Sequence, residues 1–135
     1  LEGTVRSYDY ELHHKMPEIM ERVVKNTAAA YRCQAEVEYN MMTEVLMNDA
    51  EGVAMARKAA AKIVERPDQL IEAKVMMGGE DFAEYTVHTR AAFASVGAGG
   101  EYPQHSNKVY FDEESFITGA ALYAQVAVDY LNDQA

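Results

Sequence analysis

One loop histidine of this sequence has surroundings that are typical of a binding site. His105 lies between a glycine-rich turn at 97–100 and an acidic helix start at 112–114. An imidazole can bind a metal ion or carry a proton, and loops at the ends of strands are where α/β proteins place such groups. A catalytic zinc ion needs three protein ligands, so one histidine is not a metal site by itself. Spacing alone does not distinguish whether His105 is a metal ligand or an ordinary surface histidine.

A second candidate site is the run Gly78-Gly79-Glu80-Asp81, which follows a strand-like segment. Two glycines allow a ligand to approach the backbone closely, and the two acidic residues would begin the next helix. Acidic residues in a first helical turn are also an ordinary structural feature. The pattern therefore indicates either a ligand-binding turn or a plain helix start.

The remaining polar residues give weaker signals. Arg6 is the one charged residue in the segment 4–8, where its guanidinium would either bind a carboxylate through two hydrogen bonds or remain solvated. His13 and His14 lie beside a predicted helix start and are expected to be solvated, and His88 suits the end of a short helix. The sequence contains no Cys-x-x-Cys pair, no His-x-x-x-His, no phosphate-binding loop and no nucleophile elbow.

Composition excludes several classes of protein. The chain has 135 residues, 12 Lys and Arg against 22 Asp and Glu, and a net charge of −10. This charge argues against binding to nucleic acid or to a membrane surface, and no apolar run approaches the roughly 18–20 residues that span a bilayer. The single cysteine, Cys33, rules out an internal disulfide and favours a cytoplasmic location. Because residue 1 leads directly into a strand-like segment, we expect the chain to be part of a longer protein.

Hydropathy patterns predict alternating strands and helices, which is typical of the α/β class. The pattern within 35–42 has period two, and Pro17 places the start of the first regular helix near Met16. The predicted strands are 4–8, 35–42, 71–77 and 91–96, and the predicted helices are 16–31, 53–66, 80–87 and a final helix that opens at 112–114. Asp9 and Asn48-Asp49 are candidate helix caps. The composition near 46–49 marks a segment boundary.

Four of these segments, taken in order, resemble the M20 family of metallopeptidases and amidohydrolases. The matching segments are 3–9 (GTVRSYD), 77–82 (MGGEDF), 97–99 (GAG), and His105 followed by 111–114 (FDEE). The MGGEDF run together with the histidine before FDEE is the specific part of the match. Within the family, the chain is similar to the subgroup that hydrolyses N-acyl amino acids, including hippurate and auxin conjugates.

The resemblance implies an incomplete two-domain architecture. Residues 1–46 would be the C-terminal part of a lid or dimerisation domain, with a partial βαβ unit. Residues 47–135 would be the C-terminal part of the metal-dependent catalytic α/β domain. The chain is then expected to form a homo-oligomer through its lid strands or other exposed edges.

The resemblance also implies roles for the candidate residues. His105 matches a metal ligand of a divalent-metal pair (Zn, Mn, Co or Ni), Arg6 matches an arginine that binds the substrate carboxylate, and Gly78, Gly79, Glu80 and Asp81 match the turn that lines the substrate site. The family's other metal ligands and its general base match nothing in this sequence.

The expected reaction of the whole protein is metal-assisted hydrolysis of the amide bond of a small N-acyl amino acid. With one ligand, the chain alone is expected to bind metal weakly and to be inactive. Two other hypotheses stay open: a non-catalytic α/β interaction module, and one chain of a split hydrolase.

Overall fold

The computed structural model describes residues 1–133, and its regular elements are helical. They are α1 (Tyr10–Ala30), α2 (Ala50–Ala60), a 3-10 turn (Pro67–Gln69), the one-turn helix α3 (Ala83–Thr86) and α4 (Glu114–Asp133). The chain divides into two compact units. The first unit comprises residues 1–47 and 75–89, and the second comprises residues 48–74 and the chain from residue 90 onward. None of these helices is long and apolar enough to cross a membrane.

The predicted α/β class is wrong for this structure, because residues 1–133 contain no β-strand. The predicted strands 4–8, 35–42, 71–77 and 91–96 have no regular secondary structure, so the partial βαβ unit expected within 1–46 is absent as well. A strand requires hydrogen bonds to a neighbouring strand, and a hydropathy pattern does not specify that neighbour. The backbone of 91–93 instead binds the start of α2: the Phe93 N–H donates to Asn48 Oδ1 at 2.7 Å, and Ala91 O accepts from the Asp49 N–H at 2.9 Å.

The segment 35–40 keeps its predicted two-faced pattern without forming a strand. The alternate residues Ala35, Val37 and Tyr39 are half-buried, and the residues between them are exposed. The period-two hydropathy pattern therefore predicted which side chains are half-buried. Backbone pairing also needs a neighbouring strand, and the described residues contain none.

In the first unit, α1 begins earlier than the sequence indicated. Asp9 caps the helix by accepting a hydrogen bond from the Leu12 N–H at 2.7 Å, so Pro17 lies inside the helix and the expected start near Met16 is wrong. Capping by an aspartate stabilises a helix by about 1 kcal/mol. Pro17 removes one backbone hydrogen bond from the helix, which nevertheless continues through it.

In the second unit, α2 packs against α4. Asp49 caps α2, as its position predicted, by accepting from the Gly52 N–H at 2.8 Å. At the other end of α2, Lys62 Nζ lies 2.5 Å from Asp129 Oδ1 of α4, and Gln125 Nε2 donates to the same oxygen at 2.8 Å. Asp129 is only 7% exposed whereas Lys62 is half exposed, so this partly buried ion pair joins α4 to the residues that follow α2.

The Lys62–Asp129 pair predicts a pH dependence for the second unit. The hydrogen bond from Lys62 lowers the pKa of Asp129, so the carboxylate stabilises the folded state at pH values above its unfolded pKa of about 3.9. This contribution is lost as the pH falls through the lower, folded pKa. We expect Asp129→Asn to remove that part of the acid-induced loss of helical circular dichroism, and Asp68→Asn, in an exposed pair with Arg66, to leave it unchanged. Equal acid profiles for all three proteins would contradict this.

The apolar core within residues 1–133 is small. Its buried members are Val45, Ala59 and Ala83, and no large side chain is fully buried. Many large apolar side chains of the described residues are instead exposed, among them Met42, Val75 and Phe116.

Candidate functional site

His105 belongs to the second unit, in the loop that precedes α4. Its side chain is exposed and its backbone is left-handed, with φ at 75°. A residue with a Cβ pays roughly 1–2 kcal/mol for this conformation, and such strained residues concentrate at functional sites. The left-handed backbone makes His105 a candidate for such a site, and its role as a ligand stays a prediction.

The strain at His105 is imposed by a defined turn. The Ser106 N–H donates to the Pro103 carbonyl at 3.0 Å, so His105 is the third residue of a four-residue turn, where a type II turn requires positive φ. The Lys108 N–H donates to Ser106 Oγ at 3.2 Å, and Lys108 Nζ lies 5.5 Å from the centre of the Tyr102 ring. These contacts fix the loop and present the imidazole at its surface.

The ends of this loop are also fixed. The Asp112 N–H donates to the Ala98 carbonyl at 2.8 Å, and Asp112 Oδ1 accepts from the Glu114 N–H at 3.1 Å as α4 begins. Gly99 and Gly100 are left-handed, with φ of 66° and 89°. A Cβ on Gly100 would lie 2.8 Å from the Tyr110 carbonyl oxygen, so only glycine fits there.

The Gly78-Gly79-Glu80-Asp81 run forms an open turn in the first unit. A Cβ on Gly78 would meet nothing within 4 Å, so its backbone is accessible to a ligand. Glu80 Oε1 accepts from the Phe82 N–H at 3.2 Å, and the Glu80 carbonyl accepts from the Ala83 N–H at 3.0 Å, which starts α3. Arg6 is exposed in this same unit. Gly78 and Gly79 thus lead directly into the turn that begins at Glu80, and His105 belongs to the other unit.

Sequence reasoning missed one cluster in the first unit, because its members are far apart in the chain. His14 Nδ1 donates to the Tyr10 carbonyl at 2.9 Å, and His14 Nε2 lies 3.3 Å from the Glu44 carboxylate. The Tyr10 carbonyl, and after it Glu44, raises the pKa of His14 above its usual value. The spacing of Tyr10 and His14 along α1 was a usable signal, whereas the contact with Glu44 exists only in the folded chain.

The described residues do not form a complete metal site. Between residues 1 and 133 no group of three or more His, Cys, Asp or Glu side chains is arranged to hold an ion. His105 is therefore not accompanied by the ligands that a divalent-metal pair would need.

Comparisons with known proteins give consistent matches. Residues 3–129 match the model of peptidase family M20/M25/M40. The chain is 33% identical over 128 residues to N-acetylcysteine deacetylase of Bacillus subtilis, covering 95% of this chain and 33% of that protein. It is 29% identical to IAA-amino acid hydrolase ILR1-like 6 of Arabidopsis thaliana (99% and 31% covered) and 23% identical to hippurate hydrolase of Campylobacter jejuni (95% and 33% covered).

The extent of these matches defines what they establish. The chain spans about a third of the length of the curated relatives that it matches. No solved structure gives a significant match. Since the family model covers nearly the whole chain, the predicted resemblance is confirmed: the chain belongs to the M20/M25/M40 peptidase family, a family of hydrolases.

Proposed function

We propose that this chain is one part of an amidohydrolase that cleaves the amide bond of N-acyl amino acids. The observation that carries the proposal is the 33% identity to N-acetylcysteine deacetylase over 95% of the chain. The names of the hippurate and IAA-amino acid hydrolases point to the same chemistry, because each substrate carries an acyl group on an amino-acid nitrogen. By "complete enzyme" we mean this chain together with the polypeptide that supplies the other ligands and the general base, in the same chain or in a second one.

The proposed roles follow from chemistry and position. In the complete enzyme, His105 would contribute one imidazole to a divalent-metal pair (Zn, Mn, Co or Ni), presented by its left-handed turn. The open backbone at Gly78 and Gly79 would let substrate approach, with Glu80 and Asp81 beside it. Arg6, whose guanidinium is exposed, would bind the substrate carboxylate through two hydrogen bonds.

We also propose that the chain associates with further polypeptide. Residues 1–46, as the end of a lid domain, and the other exposed segments would contribute to a homo-oligomer, and residues 47–135 would belong to the catalytic domain. The support is the small core and the exposed apolar side chains of both units, such as Met42, Val75 and Phe116. Acidic charge and the single free Cys33 favour a cytoplasmic protein without nucleic-acid or membrane partners.

Two activity assays test the proposed function. The chain of 135 residues is incubated with N-acetylcysteine or hippurate and Zn²⁺, Mn²⁺, Co²⁺ or Ni²⁺, and released amino acid is measured. We expect no turnover and, by calorimetry, only weak metal binding, because one imidazole is too few ligands. Turnover by the chain alone would contradict the proposal that it lacks the ligands needed for activity.

The complete enzyme is assayed in parallel, after the coding sequence around residue 1 and any co-purifying chain have been determined. We expect it to release the amino acid from at least one of these substrates. A complete enzyme that contains the remaining ligands and hydrolyses no N-acyl amino acid would overturn the substrate class. Absence of any such ligands from the gene and from co-purifying chains would favour a non-catalytic interaction role.

A further inference from the structure

The cluster around Glu44 connects α1 to the turn that contains Gly78 and Gly79. The Glu44 carboxylate contacts His14 on α1, and only 23% of its side chain is exposed. The backbone N–H of the same residue donates to Glu84 Oε1 of α3 at 3.4 Å. Glu44 therefore binds two elements at once, through its side chain and through its main chain.

The residues on both sides of Glu44 pack in the same region. A Cβ on Gly79 would lie 3.6 Å from Thr43 Oγ1, which is ordinary van der Waals contact. Val45 and Ala83 are the buried apolar residues of the first unit. Segment 43–45 thus lies beside Gly79 through Thr43 and is hydrogen-bonded to α3 through the Glu44 N–H.

We propose that His14 is a positioning residue, and that its ion pair with Glu44 is a proton-dependent brace that holds segment 43–45 against the Gly78–Asp81 turn. The brace itself is argued from contacts within the first unit. Only the consequence for substrate binding rests on the proposed function, since that function assigns Gly78–Asp81 to the substrate site.

The charged and polar groups around His14 determine which of its protonation states forms the brace. Tyr10 and His13 on α1 and Glu44 on segment 43–45 contact His14. Glu84 on α3 accepts a hydrogen bond from the Glu44 N–H, and Lys15, which follows His14, pairs with Glu11. Glu44 Oε2 is buried without a hydrogen-bond partner among the described residues. Glu44 therefore depends on the imidazolium of His14 to stabilise a carboxylate that is largely removed from water.

The pH dependence follows from this arrangement. The pKa of His14 is raised by the Tyr10 carbonyl and by Glu44, so the brace is fully present below the unfolded pKa of about 6.5. It is lost as the pH rises through the higher, folded pKa. Above that pH, the Glu44 carboxylate has no cation facing it in this cluster, and segment 43–45 is expected to loosen from the turn.

Nuclear magnetic resonance tests the brace without substrate or metal. We would follow the His14 ring signals and the amide signals of Gly78 and Gly79 in the 135-residue chain between pH 5 and pH 9. The glycine amides are expected to shift with the same midpoint as the His14 ring. In Glu44→Gln the His14 midpoint should fall towards the ordinary histidine value, and the glycine amides should stop following it.

The matched control is Glu11→Gln, which removes an exposed carboxylate from α1 and leaves Glu44 in place. It is expected to leave both the His14 midpoint and the glycine response unchanged. Glycine amides that ignore His14 in the native chain, or that still follow it in Glu44→Gln, would overturn the brace. Because no turnover is measured, this result is independent of whether the complete enzyme hydrolyses N-acyl amino acids.

A double-mutant cycle keeps the test decisive if Glu44→Gln is poorly folded. Urea unfolding is measured at pH 5.5 for His14→Gln, Glu44→Gln and the double variant. The brace predicts that the double variant loses less stability than the sum of the two single losses, and that this coupling disappears at pH 9. Additive effects at both pH values would refute the brace.

Discussion

Replacing His105 with alanine is expected to lower kcat/KM of the complete enzyme for an N-acyl amino acid by at least about 100-fold. Mutating groups that merely orient a metal ligand already costs 10–100-fold, and this variant would remove the ligand itself. Metal content, measured by mass spectrometry after dialysis, should fall in parallel. His88→Ala removes another exposed imidazole, at the end of α3, and is expected to leave both quantities within about twofold of the native values.

A second substitution at His105 separates a functional role from a structural one. Because φ is 75° there, His105→Gly relieves backbone strain and should increase the free energy of unfolding by up to about 1 kcal/mol. Activity and metal content should nevertheless fall as in His105→Ala. A loss of activity with a gain of stability is the mark of a residue retained for function. Native activity in either variant would show that His105 is not a ligand.

Substitution of Gly100 by alanine is expected to destabilise the second unit by about 2–3 kcal/mol. The new Cβ would pay the left-handed penalty of roughly 1–2 kcal/mol at φ 89° and would also lie 2.8 Å from the Tyr110 carbonyl oxygen. Backbone atoms cannot move aside as a flexible side chain does. With a urea m-value of about 1–3 kcal/mol/M, the unfolding midpoint should fall by about 0.7–3 M, measured by circular dichroism.

Gly97→Ala is the matched control for this prediction, since both glycines belong to the turn before the His105 loop. A Cβ on Gly97 would meet nothing within 4 Å, and Gly97 has no positive φ. Alanine there should leave stability unchanged or raise it by up to about 1 kcal/mol through the unfolded state. Equal losses for the two variants would mean that the Gly100 turn is not formed as described.

The starts of two helices were predicted well, whereas the ends were not: α2 ends at Ala60 and not at residue 66, and α3 covers only Ala83–Thr86 of the predicted 80–87. Asp49 was expected to cap α2 and does so, and the acidic residues at 112–114 were expected to open α4, which begins at Glu114. Caps and helical periodicity are local, because the atoms that they bring together are three or four residues apart. The late start expected for α1 was wrong because Asp9 caps a helix that begins at Tyr10 and continues through Pro17.

The strands predicted from the sequence were wrong. Residues 35–42 alternate in hydropathy and partly in burial, yet they lack the pairing that defines a strand. The segment 91–96 does not form a strand for a related reason, because the Phe93 N–H donates to the Asn48 side chain. Pairing is a long-range event that depends on which backbone is present, and one sequence does not specify it.

The amino-acid sequence by itself determined the family, the helix caps and the identity of the candidate ligand His105, since each depends on residue types at short, fixed spacings. The tertiary structure decided the rest: the absence of strands in residues 1–133, the strained backbone at His105, and the contact of His14 with Glu44. Strand pairing and the His14–Glu44 contact involve residues that are distant in the chain, and the strain at His105 is a single backbone torsion angle. Both are fixed by packing and hydrogen bonds that form only when the chain folds.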